Sequence, residues 1–335
     1  MTSPRNPDLR PIVIMGPTAS GKTELALETA RECGGEVISA DSRQVYRLLS
    51  AGTAKPPGQW RDTPYGPVYF VRDIACHLVD FLDPQSSYDT MTFIAQAKKL
   101  AQDITARGKT PIFAGGTGMY IQAYWNGLDD LPEASPEIRE RLHREILTSG
   151  NATVHARLAS VDPAAAAKIP AGNTQRLIRA LEVHELTGRP ISAIWTRGYY
   201  GVLPTHEADF LVIEWDKEIL HARIHGRTKQ IFEPMLEETA ALLNSGCPAD
   251  CPALKSLGYP QALDCINNGA SRPDAIHKIT SLTQSYAKRQ MTWLRRYQNV
   301  PRIRLAKPED WDPARLAAKI RDNRENRAEH SVSLF

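Results

Sequence analysis

IVIMGPTASGKTELA, residues 12–26, joins an unbroken apolar run to a glycine-rich loop and the start of an amphipathic segment. The run at 12–15 predicts a strand buried on both faces, as in a parallel sheet. Gly16, Pro17, Thr18, Ala19, Ser20, Gly21, Lys22 and Thr23 match the pattern G-x-x-x-x-G-K-[ST]. In that pattern backbone N–H groups line a concave nest at a helix N-terminus, the lysine adds a cation and the hydroxyl can hold Mg²⁺. The stretch therefore predicts a phosphate site. It does not say whether the phosphates belong to a nucleotide such as ATP or to another compound.

Outward from this loop the strand and helix signals alternate. TELALETARECGG (23–35) predicts a helix closed by Gly34, and EVISAD (36–41) a second strand ending on Asp41. Residues 52–67, rich in Gly and Pro, read as a loop, and HLVDFLDP (77–84) as a strand or strand end. In 88–109, Phe93, Ala97, Leu100 and Ile104 stand at helical spacing before Gly108, and TPIFAGGTGMY (110–120) follows as strand, glycine turn and helix start. This alternation implies an α/β fold with a parallel sheet and ligands at the carboxyl ends of its strands. The P-loop, Asp41 and the turn at 115–118 all fall at such ends.

The pattern changes near Asn126. Ser135 and Pro136 open one helix that Gly150 ends, and Asn173 opens another that stops at Gly188 and Pro190, with no strand between 126 and 190. ADFLVIEW (208–215) restores the strand pattern, helices are expected from there on, and the tail 321–335 is polar and expected to fray. The chain of 335 residues is thus expected to form a discontinuous core (9–125 and 191–310), a helical insertion (126–190) and a polar C-terminal tail (311–335).

The net charge of +3 decides little, but its distribution does. Eight Lys/Arg against one acid between Arg272 and Arg304 suits a polyanion. SYAKRQMTWLRRY (285–297) interleaves cations with Tyr286, Trp293 and Tyr297, which serve either nucleic-acid bases or the core. The opening MTSPRNPDLR has no apolar core and no run is long enough to span a bilayer, so a cytoplasmic protein without membrane partners is expected. The five cysteines are then reduced, and CPADC (247–251) lacks the ligand set of a zinc site.

Chemistry-bearing candidates keep two readings each at this point. Asp41 is a helix cap or magnesium-shell carboxylate, or else a general base. Thr117 sits in a turn whose glycines either admit a ligand or merely turn tightly. Arg223 and Arg227, four apart, share a helix face that either meets water or clamps phosphates.

GPTASGKT, DSRQVY, GTAKP, HLVD, GGTGMY, QRLIRALEV, TGRPIS and YAKRQMTW occur in that order from about residue 11 to 296. This set strongly resembles the tRNA dimethylallyltransferase (tRNA isopentenyltransferase) family. The resemblance implies a P-loop NTPase/kinase-like parallel sheet core, an all-helical insertion domain and a helical C-terminal part. It implies transfer of a dimethylallyl group from dimethylallyl diphosphate to N6 of the adenosine 3′ of the anticodon. Asp41 would be the general base, Thr117 would contact the bridging oxygen, and Lys22, Arg223 and Mg²⁺ on Thr23 would stabilise the diphosphate. Asp41, Ser42, Arg43, Gln44 and Thr117 match positions near the extruded adenine. Arg139, Gln175, Arg176, Leu177, Ile178 and Arg179 match positions on the anticodon stem-loop, as do Lys255, Gly258, Tyr259, Lys288 and Arg289. Cys76 before a single His77, RLLSA (47–51), Pro260, Gln284 and Pro234, which is expected to interrupt the helix downstream of Arg227, depart from the family pattern. Nothing demands more than a monomer. Rival readings are a prenyltransferase of free AMP, ADP or ATP, a small-molecule P-loop kinase, and an RNA-binding protein without catalysis. The long insertion and the basic 286–296 region argue against the first.

Overall fold

The computed structural model describes residues 9–195 and 202–330. The chain divides into two compact units, one of Met1–Trp125 with Val202–Phe335 and the other of Asn126–Gly201. The larger unit contains β1 (Ile12–Met15), α1 (Lys22–Glu32), β2 (Gly35–Ser39), β3 (Gln59–Thr63), β4 (Gly66–Val71), β5 (Ile74–His77), α2 (Thr90–Ala106), β6 (Thr110–Gly115) and α3 (Gly118–Asn126). The smaller contains α4 (Pro136–Val161), α5 (Pro163–Ala166) and α6 (Thr174–Thr187). The larger resumes with β7 (Asp209–Trp215), α7 (Lys217–Asn244), α8 (Tyr259–Asn268), α9 (Arg272–Leu294), β8 (Arg302–Leu305) and α10 (Pro313–His330). Among the described residues no helix is long and apolar enough to cross a membrane.

The eight strands form one mixed sheet in the order β3-β4-β5-β2-β6-β1-β7-β8. From β5 to β8 every pairing is parallel, while β3 and β4 pair antiparallel at one edge. β1 is fully buried because both its faces are covered: Ile12 and Ile14 pack with Leu25 of α1, Val13 and Met15 with Phe93 of α2. That is why the sequence here is continuous rather than alternating. β2, β6 and β1 are adjacent, so the loops leaving their carboxyl ends stand side by side. These loops hold Asp41, Gly116–Thr117 and the stretch 16–21.

Five sequence expectations need correction. Residues 52–67 are not all loop: β3 and the start of β4 lie there, largely exposed at the sheet edge, where no core face imposes apolar alternation. β8, only four residues long, follows α9 where helix was expected. The segment from 311 is not a fraying tail: α10 packs along α1, with Ala317 and Ile320 buried and Arg321 paired to Glu32. The insertion does not end at residue 190, because Ile191 is buried in the smaller unit's core with Ile194 and Trp195 against it. Pro234 does not interrupt α7, which runs through it.

In the smaller unit the predicted caps hold: the Ser135 and Asn173 side chains accept from Ile138 N and Arg176 N. Gly150 (φ 79°) breaks α4 into two segments. Glu182 is 0% exposed and accepts from Ser135 N at 2.7 Å, Arg139 Nε at 2.8 Å and Arg179 Nη1 at 2.6 Å. Burial alone would raise its carboxyl; the hydrogen bonds from Arg139, Arg179 and Ser135 outweigh this and hold it below the usual range. Breaking a buried pair costs about 3–5 kcal/mol, and solvent screening of the 44%-exposed Arg139 reduces this. Glu182→Ala is expected to destabilise the protein by about 2–3 kcal/mol in denaturant unfolding. An unchanged midpoint would mean the three donors rearrange without cost.

Candidate functional site

The loop from Gly16 to Gly21 is shaped by two left-handed residues, Ala19 (φ 61°) and Gly21 (φ 93°). Gly21 is the N-cap of α1 and no side chain caps that helix, so its first N–H groups face outward. Gly16 has no room for a Cβ, which would lie 2.6 Å from Ser20 Oγ. The result is a cradle of backbone donors at the positive end of a helix dipole.

This cradle opens into a cleft of about 1350 Å³ whose wall includes Thr18, Lys22, Thr23, Asp41, Arg223, Arg227 and Tyr286. Three cations converge there with no carboxylate partner among the described residues. Lys22 Nζ donates to Pro17 O at 3.3 Å, Arg223 Nε to Ala19 O at 2.9 Å, and Arg227 Nη2 to Thr18 Oγ1 at 3.0 Å. Arg72, by contrast, is paired with Glu24 and Glu28. Burial pushes both Arg223 and Arg227 below the ordinary guanidinium range, with Asp41 opposing this at Arg227. Burial likewise lowers Lys22 to about 8; Asp41 counters and Arg227 adds to it. Partly desolvated, unpaired cations of this kind mark a place that an anion completes.

One consequence is measurable. Free Lys22 loses its proton as pH rises through about 8, whereas a bound anion would keep it protonated. Affinity for inorganic diphosphate should therefore fall above about pH 8, approaching tenfold per unit for this one proton. Lys22→Arg should lack that component, because a guanidinium stays charged. Calorimetric titrations of both proteins from neutral to alkaline pH compare the slopes; equal slopes would show that Lys22 does not face the anion.

Asp41 lines the same cleft, near enough for its charge to act on Lys22 and Arg227. Its Oδ1 accepts from Arg43 N at 2.8 Å and Gln44 N at 3.4 Å, which fixes the carboxylate at the end of β2. Ser42 and Arg43 also line the cleft. Gln44 is buried, and its amide accepts from Ser39 Oγ and donates to Ala54 O, so it braces the 52–56 segment. In that segment Lys55 pairs with Asp80, which joins two of the motifs in a structural contact.

Thr117 is half-buried at the entry to α3 and does not line the cleft. The glycines around it serve packing rather than a ligand. A Cβ on Gly115 would lie 2.2 Å from Ala40 O, one on Gly116 2.3 Å from Gln290 Nε2, and one on Gly118 2.2 Å from the Trp293 ring. Gln290 was not singled out from sequence, yet it spans the site: Oε1 accepts from Thr18 N at 2.8 Å and Nε2 donates to Gly116 O at 2.9 Å. It ties the P-loop to the turn that carries Thr117. Arg227 was noticed only for its spacing from Arg223. Its lack of an acid could not be read from the chain.

The positions matched to RNA divide. Lys255, Lys288 and Arg289 are exposed, and Lys255 and Arg289 line the cleft. The Arg289 guanidinium stands 5.7 Å over the Tyr286 ring. Tyr259 is a correction: it is 0% exposed, its hydroxyl donating to Glu238 and accepting from Gly52 N. Gly258 (φ 101°) is buried against Met235. Trp293 packs on Gly118, and Tyr297 is core. In the smaller unit Gln175 and Arg176 are exposed, but Leu177 and Ile178 are buried in its core, and Arg139 and Arg179 are engaged by Glu182. Helical periodicity explains this correction, since 177 and 178 fall on the inner face of α6.

Fold and site together define an α/β protein with an anion cradle at the carboxyl edge of its sheet and a carboxylate in the wall of the same cleft. A family model described as IPP transferase matches residues 44–297, and one described as isopentenyl transferase matches residues 10–59. The chain is 46% identical over 290 residues to the tRNA dimethylallyltransferase of Elusimicrobium minutum, covering 86% of this chain and 92% of that one. It is 42% identical over 298 residues to that of Stenotrophomonas maltophilia, covering 86% and 90%. The solved tRNA isopentenylpyrophosphate transferase of Bacillus halodurans matches with a TM-score of 0.64 at 29% identity, covering 96% of this chain and 99% of that one. A eukaryotic dimethylallyltransferase acting on tRNA shares the fold with a TM-score of 0.75 at 23% identity, covering 97% and 80%. The chain belongs to the IPP transferase family, the tRNA dimethylallyltransferases, and is an enzyme of the prenyl-transferring class.

Proposed function

We propose that this chain transfers the dimethylallyl group of dimethylallyl diphosphate to N6 of the adenosine 3′ of the anticodon in tRNA, releasing diphosphate. The observation that carries the reading is the trio Lys22, Arg223 and Arg227, unpaired by any described carboxylate, around a backbone cradle in a cleft that Asp41 also lines. The diphosphate occupies the cradle. The bond from the allylic carbon to the bridging oxygen breaks and its electron pair leaves with the diphosphate. The bond from N6 to that carbon forms, and the N6 proton passes to the Asp41 carboxylate. Charge that develops on the leaving oxygens meets preorganised cations, the arrangement that lowers such a barrier most. Thr117 does not line the cleft and takes no part in this step; Gln290 fastens its turn to the loop.

Thr23 stands on the cleft wall next to Lys22 and is the protein's donor for Mg²⁺. Among the described residues no group of three or more His, Cys, Asp or Glu could hold a metal ion alone. That fits an ion held largely by phosphate oxygens and water, as Mg²⁺ prefers. When bound it neutralises charge on the diphosphate.

For the acceptor, the adenine leaves its stack to reach the cleft, where Tyr286 offers a π-face and Ser42, Arg43, Lys255 and Arg289 line the walls. Lys288, exposed on α9, serves the tRNA, and in the smaller unit the exposed Gln175 and Arg176 serve the anticodon stem-loop. The names of the curated relatives favour tRNA over a free nucleotide as acceptor. Salt separates the two substrates. Between about 50 and 200 mM salt, anticodon stem-loop binding should weaken roughly tenfold or more through counterion release, and dimethylallyl diphosphate binding far less. Equal salt dependence in fluorescence titrations of the two would remove the polyanionic acceptor from the account.

A further inference from the structure

Arg223 has to stay charged and aimed into the cleft, yet no described acid holds it. A carboxylate partner would cancel the charge that a diphosphate needs. Two indoles stand where that partner would be. The Arg223 guanidinium carbon lies 4.4 Å from the ring centroid of Trp215 and 5.9 Å from that of Trp311, and the two rings are 6.0 Å apart. Trp215 ends β7 and its Nε1–H donates to Ser20 O at 2.9 Å, so one indole grips the P-loop directly. Trp311 comes from the far end of the chain. It follows a short turn in which Asp310 Oδ2 accepts from Ala306 N and Lys307 N, and it precedes α10. α10 is itself held on α1 by buried Ala317 and Ile320 and by the Arg321–Glu32 pair.

The Trp311 ring also occupies the space above Gly21. A Cβ there would lie 2.4 Å from its Cζ2 atom, so Gly21 is needed for ring room as well as for its φ of 93°. The same indole thus packs on the cradle and faces the cation beside it.

We infer that Trp311 is a positioning residue for the diphosphate site: with Trp215 it holds Arg223 by its π-face, keeping the guanidinium fixed and uncompensated. The C-terminal segment is then part of the donor site and not an appendage. Stacking suits this task because the ring's quadrupole attracts a cation without carrying a negative charge. The inference rests on the reading of residues 16–23 as a diphosphate cradle.

The test compares Trp311→Phe with Trp311→Leu, each alone and combined with Arg223→Ala. Leucine fills apolar space but has no π-face. The readouts are affinity for inorganic diphosphate by calorimetry, KM for dimethylallyl diphosphate, anticodon stem-loop affinity and the thermal midpoint. Trp311→Leu should weaken diphosphate binding about tenfold, with KM rising in step, and Trp311→Phe should retain most of it. Stem-loop affinity should not move. Trp311→Leu should add nothing in the Arg223→Ala background. Equal effects of Phe and Leu, or a loss that adds fully to that of Arg223→Ala, would reduce Trp311 to packing and overturn the inference. Diphosphate binding with this pattern but no prenyl transfer by the wild-type protein would instead refute the proposed reaction and leave the role of Trp311 standing.

Discussion

Asp41→Ala should lower turnover of prenyl transfer by about 10²–10⁴-fold, the range that a positioned general base contributes. The exocyclic amine of adenine is a poor nucleophile while it keeps its proton, so loss of the acceptor for that proton falls on the chemical step. Asp41 is suited to the role by its placing. One carboxylate oxygen is fixed by Arg43 N and Gln44 N at the end of a central strand, and the residue lines the same cleft as Lys22 and Arg227. Stem-loop affinity should survive, because the substitution removes a negative charge from a site that binds an anionic nucleic acid. Asp41→Asn is the stricter variant, since it keeps the shape and an accepting oxygen but not the basicity. Single-turnover rates near wild type in either variant would show that the proton goes elsewhere.

Lys22→Ala should cost about 10²–10³ in turnover, as for removal of one preorganised group that stabilises developing negative charge. It should also alter stability in a direction that a structural lysine would not. The folded-state pKa of Lys22 is about 8, below its ordinary 10.5, because burial disfavours the ammonium. Between these values the unfolded chain binds the extra proton, so this group makes wild-type stability rise with pH across that window. Below about pH 8 its destabilising cost is complete. Lys22→Met, which keeps an apolar stem, should therefore be more stable than wild type at neutral pH, and the difference should vanish above about pH 10.5. Denaturant unfolding of both proteins at several pH values checks this. A variant less stable than wild type at neutral pH would mean that the lysine contributes to the fold rather than straining it.

What could be read from the sequence follows from where each residue sits. β1 and β7 write themselves as apolar runs because both faces are buried, and α6 declares both ends through Asn173 and Gly188. β3 and β8 lie at the two edges of the sheet, where one flank is open, so their residues carry little core pattern. α10 was hidden by charge: Ala317 and Ile320 form a narrow inner face among Arg, Lys and Asp. The cradle was legible because its geometry is local, set by glycines and a lysine within eight positions. Gln290 was not, since it meets Thr18 across 272 positions. The same limit explains Tyr259, whose burial depends on what packs against it, whereas Leu177 falls on the inner face of α6 by helical periodicity alone.

The most direct measurement is a transfer assay with labelled dimethylallyl diphosphate and Mg²⁺, offered tRNA with an adenosine 3′ of the anticodon in one reaction and AMP or ATP in another. The account predicts label on the tRNA alone, at that adenosine's N6. Label on the free nucleotide, or on neither acceptor, would contradict it.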